Sequence, residues 1–322
     1  MHAPAFWTRN GWQARMLAPL SGVGAAITAH RVARTGWLAP VPVICCGNAT
    51  VGGAGKTTVA IDLAHRLTAR GIAVHVLLRG YGGGARGPRR VQPDDTPVVT
   101  GDEALLLAAV APTWTGADRA ASAQAAVAAG AEVLLMDDGL QNPSLEKTIA
   151  LLVVDGAAGF GNGRVLPAGP LREPIAAAAA RCRVAVLIGP DVSGAVAALP
   201  PGLPVLRAAL VQDAGIAELC GRRVLAFAGI AFPEKFFAGL ERAGVIVVGR
   251  VPFADHHGFT GPELAGLVRK ATEMDAVLVT TPKDAVRLPV GANVHVVNVH
   301  LEWENESVIE SLLDDLIASG RV

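Results

Sequence analysis

The residues best able to do chemistry begin at Gly52-Gly53-Ala54-Gly55-Lys56-Thr57, set between an apolar run and a helical stretch. A triphosphate needs backbone N–H groups converging on its oxygens, and glycines let a chain wrap that closely. Lys56 would neutralise the β/γ oxygens, and the Thr57 hydroxyl would ligate Mg²⁺. Thr50 stands where the first glycine of GxxxxGK[ST] usually falls. An ordinary glycine-rich turn is the plain alternative, and the strand before and helix after argue against it. The candidate nucleotide-binding segment is Thr50-Val51-Gly52-Gly53-Ala54-Gly55-Lys56-Thr57-Thr58, and its cofactors are ATP and Mg²⁺.

A P-loop site also needs a carboxylate at the tip of a neighbouring strand to hold the metal. Asp137-Asp138 ends the apolar run Val133–Met136 and supplies two candidates; turn chemistry alone is the simpler reading of such a pair. Transfer to an alcohol needs a group that orients the hydroxyl and accepts its proton. Asp102 is a candidate, although its place at a helix start would equally suit a cap. Asp255-His256-His257 offers a proton acceptor tuned by its neighbour, in a pattern that often has only a structural role. The segment from Asp155 to Pro174 holds Gly159-Phe160-Gly161-Asn162-Gly163-Arg164 and Pro167-Ala168-Gly169-Pro170-Leu171-Arg172-Glu173-Pro174. So many glycines and prolines make a built loop, in which Arg164 and Arg172 could hold a phosphate.

Short apolar runs alternating with Ala/Leu-rich stretches must position these groups, the pattern of an α/β protein with a largely parallel sheet. Strands are expected at Val41–Cys46, Ala73–Leu78, Val133–Met136, Ile149–Val154 and Val184–Ile188, with helices at 56–70, 101–111 and 117–129. The glycine-dense Arg79–Gly84 reads as a mobile loop. From Pro190 to Arg222 the sequence loosens around Pro200-Pro201-Gly202, and the pattern then restarts: strands at 224–228, 245–248, 276–280 and 294–299, helices at 233–243, 261–272 and 304–319. The expected division is an N-terminal membrane-associating segment (1–35), a P-loop core domain (36–200), a linker (201–222) and a smaller α/β domain (223–322).

Composition narrows the class. The chain has 322 residues, 51% apolar, with 28 basic and 28 acidic side chains. Zero net charge disfavours a nucleic-acid partner. Cys45, Cys46, Cys182 and Cys220 form no CxxC pair, and the eight histidines form no metal array, so the cysteines read as small apolar residues in a reducing compartment. Met16–Ala29 is uncharged and flanked by Arg9, Arg15, Arg31 and Arg34. It is shorter than the ~20 residues needed to span a bilayer. Phe6, Trp7, Trp12 and Trp37 beside arginines suit an interfacial segment, and a helix docked on its own domain is the alternative.

Taken in order, these pieces resemble the tetraacyldisaccharide 4'-kinase family of lipid A biosynthesis. The resemblance rests on Pro42-Val43-Ile44, Gly47-Asn48 and Thr50–Thr57, then Arg79-Gly80-Tyr81-Gly82-Gly83, Gly101-Asp102-Glu103 and Asp137-Asp138-Gly139-Leu140-Gln141. It continues through the 159–174 loop, Phe227-Ala228-Gly229-Ile230, Asp255-His256 and Thr281-Pro282-Lys283-Asp284-Ala285-Val286. It covers about residues 5 to 300, and that family's P-loop also begins with Thr. The resemblance implies transfer of the ATP γ-phosphate to the 4'-hydroxyl of a tetraacylated glucosamine disaccharide 1-phosphate. By motif position Asp102 is the base, His256 assists it, Thr57 with Asp137 or Asp138 holds the metal, and Asp138, Gln141, Arg172 and Glu173 join the catalytic set. A monomer at the cytoplasmic face of the bacterial inner membrane, peripherally bound, is expected. Asn142 stands where the family usually has His, Thr58 replaces a frequent Pro, and Glu146-Lys147-Thr148 lacks the usual basic-then-Asp pattern. A ParA/MinD-like ATPase switch would carry Lys at the position of Val51, and a GTPase would need K-x-D where Lys283 and Asp284 are adjacent. A soluble small-molecule kinase would not need the aromatic N-terminus.

Overall fold

The computed structural model describes residues 4–84, 87–289 and 291–319. Residues 1–3 of the expected N-terminal segment and 320–322 of the expected C-terminal domain lie outside them. The first strands are β1 (Val43–Gly47), β2 (Val74–Leu78), β3 (Arg89–Arg90), β4 (Thr113–Thr115), β5 (Val133–Asp137), β6 (Ile149–Asp155), β7 (Val184–Ile188) and β8 (Val205–Gln212). A second sheet follows, from β9 (Arg223–Ala228), β10 (Ile246–Pro252), β11 (Val277–Thr280) and β12 (His295–Val296), before β13 (Val299–Trp303) returns to the first. The large sheet runs β13-β8-β7-β6-β1-β5-β2-β4-β3, and the small one β10-β9-β11-β12. Both are parallel except where β3 meets β4 and β13 meets β8.

Parallel strands are buried on both faces, so they read as continuous apolar runs. β1 does this with Val43 and Cys45 in one core and Ile44 and Cys46 in the other. Burial pushes the Cys45 thiol up to about 11 and raises Cys46 well above its usual value, so both behave as small hydrophobes. The helix Lys56–Ala69 lays Val59, Ala60, Leu63, Ala64 and Leu67 on the sheet; each leucine stabilises by roughly 1.5–3 kcal/mol. On the opposite face the helix Arg119–Ala128 packs Ala123 and Ala126, capped by the Asp118 carboxylate.

Sheet membership differs from the expected division. The stretch 201–222 carries β8, which pairs in parallel with β7. The run expected as one strand at 294–299 splits: β12 closes the small sheet, and β13 crosses to pair with β8. The C-terminal helix Glu306–Ser319 therefore packs Ile309, Leu313 and Leu316 into the same core as Leu63 and Leu67. Arg66 bonds Glu306 at 2.6 Å, Arg70 bonds Asp314 at 3.1 Å, and both reach Glu310. The small lobe is thus inserted between β8 and β13, with the helix Pro233–Arg242 on one face of its sheet and Gly261–Glu273 on the other.

The N-terminal helix Trp12–Val32 runs through Pro19 without interruption. Its small residues Ala14, Ser21 and Thr28 face inward. Ser21 donates to the Val165 carbonyl at 2.6 Å, and the Trp7 indole donates to the Pro167 carbonyl at 3.1 Å. Outward, Trp12, Met16, Leu20, Val23 and Ile27 are all more than half exposed. Their spacing places them on one stripe about 22 Å long. The helix is therefore docked by one face and presents the other as bare apolar surface. Among the described residues, no helix is long and apolar enough to cross a membrane.

Candidate active site

The P-loop joins β1 to its helix. Gly55 takes a left-handed φ of 85°, and a Cβ there would come 2.5 Å from Ile188 Cδ1, so only glycine fits this last turn. Asn48 braces the loop from beneath, donating to Thr50 Oγ1 at 3.1 Å and to the Gly52 carbonyl at 3.5 Å. Val51 N donates to the Pro170 carbonyl at 2.8 Å, tying the loop to the 159–174 segment. Gly52 and Gly53 lie exposed at its crest, Ala54 is buried below, and Thr58 is half-buried in the helix.

Lys56 is buried and sits 3.6 Å from Asp138 Oδ1. Thr57 donates its hydroxyl to Asp137 Oδ2 at 2.8 Å. The other Asp137 oxygen is buried without a hydrogen-bond partner among the described residues. Burial, joined by the Glu103 charge and opposed by Lys56, pushes the Asp137 carboxyl up to about 7. A buried carboxylate with one free oxygen beside a P-loop hydroxyl fits a divalent cation, which would supply the missing charge. Asp138 faces the other way at φ 53°. Burial alone would raise it, but Lys56 and Arg172 hold it below the usual carboxylate range.

Arg172 grips Asp138 with both guanidinium nitrogens, at 2.7 and 3.0 Å, and donates to Gln141 Oε1 at 3.2 Å. Gln141 Nε2 in turn donates to the Asn48 carbonyl at 2.9 Å and to Glu173 at 2.8 Å, and Arg181 donates to Glu173 at 2.7 Å. This chain of bonds fixes the side chains around the loop, while Asn48 Oδ1 is buried without a hydrogen-bond partner among the described residues. Arg164, the other candidate phosphate ligand, is turned instead toward Asn10 Oδ1, at 2.7 Å. Asn142 accepts from the Ser144 backbone and hydroxyl at 2.9 and 2.8 Å, a local turn in place of any reach into the site.

Across the cleft, Asp102 Oδ2 lies 2.9 Å from His256 Nδ1. Gly101, at φ 87°, turns the chain so that Asp102 points inward at the start of its short helix. The Glu103 N–H donates to Asp102 Oδ1 at 2.9 Å, which leaves Oδ2 for the histidine. Burial raises the Asp102 carboxyl, but His256, Lys283 and Arg287 together bring it below its ordinary value. The Asp102 hydrogen bond raises His256, against burial and Lys283. His257 is stacked on Phe253 with centroids 4.7 Å apart and bonds Glu263 at 3.2 Å, a structural role.

Sequence reasoning gave no role in the site to Glu103, Lys283 or Arg287. Lys283 lies 3.5 Å from Glu103, 3.4 Å from His256 Nε2 and 3.7 Å from Asp255. The Arg287 side chain is buried, 3.5 Å from Asp102 and 3.1 Å from Asp284, and donates to the Gly229 and His257 carbonyls. The signal was the Thr281–Val286 segment, with Arg287 one residue beyond it.

Fold and site together define a P-loop nucleotide-dependent phosphotransferase. The family model for LpxK, tetraacyldisaccharide-1-P 4'-kinase, matches residues 13–318. The chain is 56% identical to the tetraacyldisaccharide 4'-kinase of Gluconacetobacter diazotrophicus, covering 98% of each chain. It is 51% identical to that of Rhodospirillum centenum, covering 99% of this chain and 97% of the relative. A crystal structure of LpxK from Aquifex aeolicus in complex with ATP superimposes with a TM-score of 0.76 at 26% identity, covering 94% of this chain and 99% of that one. The chain belongs to the tetraacyldisaccharide-1-P 4'-kinase family.

Proposed function

We propose that this protein transfers the γ-phosphate of ATP to the 4'-hydroxyl of a tetraacylated disaccharide 1-phosphate, as a monomer bound peripherally at the cytoplasmic face of the inner membrane. The observation that carries the reading is the 2.9 Å contact between Asp102 and His256, two residues brought together from different lobes beside the P-loop. The N–H groups of residues 52–57 and the Lys56 ammonium hold the triphosphate. Thr57 and Asp137, with Asp138 beside them, would hold Mg²⁺, which when bound offsets charge on the phosphate oxygens. Arg172, anchored through Gln141 and Glu173, keeps Asp138 ionised and aimed at Lys56. Asp102 accepts the proton of the attacking hydroxyl, and His256 orients the Asp102 carboxylate and spreads the charge. Lys283 and Arg287 stabilise the same carboxylate from behind.

The apolar stripe of the N-terminal helix supports the membrane reading. Bare Trp, Met, Leu, Val and Ile side chains flanked by arginines suit the headgroup–acyl boundary, where a four-chain lipid would be met. The large and small lobes meet at Asp102 and His256, and their cleft is the proposed unit of function, replacing a division at a linker.

The test is transfer of labelled γ-phosphate from Mg-ATP to the tetraacyl disaccharide 1-phosphate in mixed micelles, with Lys56→Ala beside wild type. Labelled lipid from wild type and near-total loss in the variant is the expected result. ATP hydrolysis by wild type without labelled lipid would favour an ATPase switch.

A further inference from the structure

Tyr81 is the single tyrosine of the chain and is 74% exposed. Its ring centroid lies 6.3 Å from that of His256, with the planes at 53°. The turn that carries it is tightly specified. Gly80 and Gly82 adopt φ values of 70° and 81°. A Cβ on Gly101 would come within 2.6 Å of the Tyr81 carbonyl, and one on Gly83 within 2.6 Å of the Val99 carbonyl. The turn therefore lies flat against the backbone that leads into Asp102. The backbone at Tyr81 is fixed by this turn while its side chain stays largely exposed, so the ring contributes little to the core. Its ring is tilted beside the histidine that bonds Asp102.

We propose that Tyr81 is the platform for the acceptor's sugar ring. This rests on the proposed function, which brings a pyranose hydroxyl to Asp102. A pyranose has a face of C–H groups, and the electron-rich face of an aromatic ring attracts polarised C–H groups while covering apolar area. The polar rim of the sugar is left to His256, Lys283 and Asp255, whose charged groups lie within 4 Å of one another. The acceptor is then oriented by one flat apolar contact and directed by hydrogen bonds at its edge. The small, rigid phenol suits this: it offers contact area at low conformational-entropy cost.

The experiment is steady-state kinetics of Tyr81→Ala, Tyr81→Leu and Tyr81→Phe, varying Mg-ATP and acceptor separately, with the deacylated disaccharide 1-phosphate as a competitive inhibitor. The expected result is a rise of about tenfold or more in acceptor KM for the Ala and Leu variants, with ATP KM changed less than about twofold. The inhibition constant of the deacylated sugar should rise in parallel, and Tyr81→Phe should recover most of both. An unchanged acceptor KM in Tyr81→Ala would overturn the proposal, as would Tyr81→Phe behaving like Tyr81→Ala, because a hydroxyl contact would then matter and not the ring face. A shifted pH–rate limb with constant acceptor KM would equally overturn it, by assigning Tyr81 to the support of His256. A wild type that phosphorylates no disaccharide would count against the proposed function itself.

Discussion

Replacing Asp102 by Asn removes a charge while changing almost nothing in shape, and the structure sets what should follow. Asn Oδ1 can still accept the Glu103 N–H that Asp102 accepts at 2.9 Å, so the helix start survives. Arg287 loses its 3.5 Å partner but keeps Asp284 and two carbonyls, so no buried charge is stranded. The stability cost should therefore stay near the 1–3 kcal/mol of a single lost charged hydrogen bond, below the 3–5 kcal/mol of a broken buried pair. What disappears is the proton acceptor at 2.9 Å from His256. General-base catalysis contributes about 10²–10⁴-fold, or roughly 2.7–5.5 kcal/mol of barrier. The assay is single-turnover transfer of labelled phosphate at saturating ATP and acceptor, alongside ATP affinity by equilibrium binding. The rate should fall by two to four orders of magnitude, roughly, with ATP affinity unchanged. His256→Gln should cost less, and the double variant should be little worse than Asp102→Asn, since the two act as one unit. A rate within about threefold of wild type, or a parallel loss of ATP affinity, would refute the assignment.

Three further outcomes are expected. His256, raised in the folded protein, contributes stability that is fully present below its unfolded value of 6.5 and lost as pH rises through its folded one. Asp102, lowered, contributes stability that is lost only as pH falls through its folded value, below 3.8. The urea-unfolding difference between wild type and His256→Gln should therefore be largest near about pH 5 and shrink above neutrality; a difference that grew with pH would contradict the linkage. Leu20→Ser with Ile27→Ser, on the exposed stripe, should weaken liposome sedimentation without lowering the melting temperature, since each full insertion is worth roughly 1.5–3 kcal/mol. Leu313→Ala, in the C-terminal helix, should destabilise by about 2–5 kcal/mol, and thermal melts showing no loss would mean the helix is not part of the P-loop core.

The P-loop and its strand and helix were legible because every part of that signal is local. The Asp102–His256 pair was not, in physical terms: 154 residues separate its members, and only the order of motifs along the chain suggested they should meet. β4 escaped notice because Thr113-Trp114-Thr115 is too short to show a period. β8 was hidden behind Pro200-Pro201-Gly202, whose turn signal colours the whole stretch around it. The split of 294–299 into strands of two sheets leaves no trace in composition, because both halves are equally apolar and only long-range pairing separates them. The exposed stripe needed the helix as context: its five large residues stand out from Ala, Gly and Ser only once the buried face is known.

The return of β13 to the large sheet has a consequence for how the protein is made. β8 has β7 on one side and, on the other, only β13 and the helix behind it. Until residues 299–319 leave the ribosome, the edge of β8 stays open and Arg66 and Arg70 wait for Glu306, Glu310 and Asp314. The small lobe has all four of its strands by residue 296, so it can fold while the nucleotide-binding lobe is still unfinished. Residues 299–319 then complete a lobe begun at β1, and a nascent chain cannot assemble its finished nucleotide lobe before that segment has emerged.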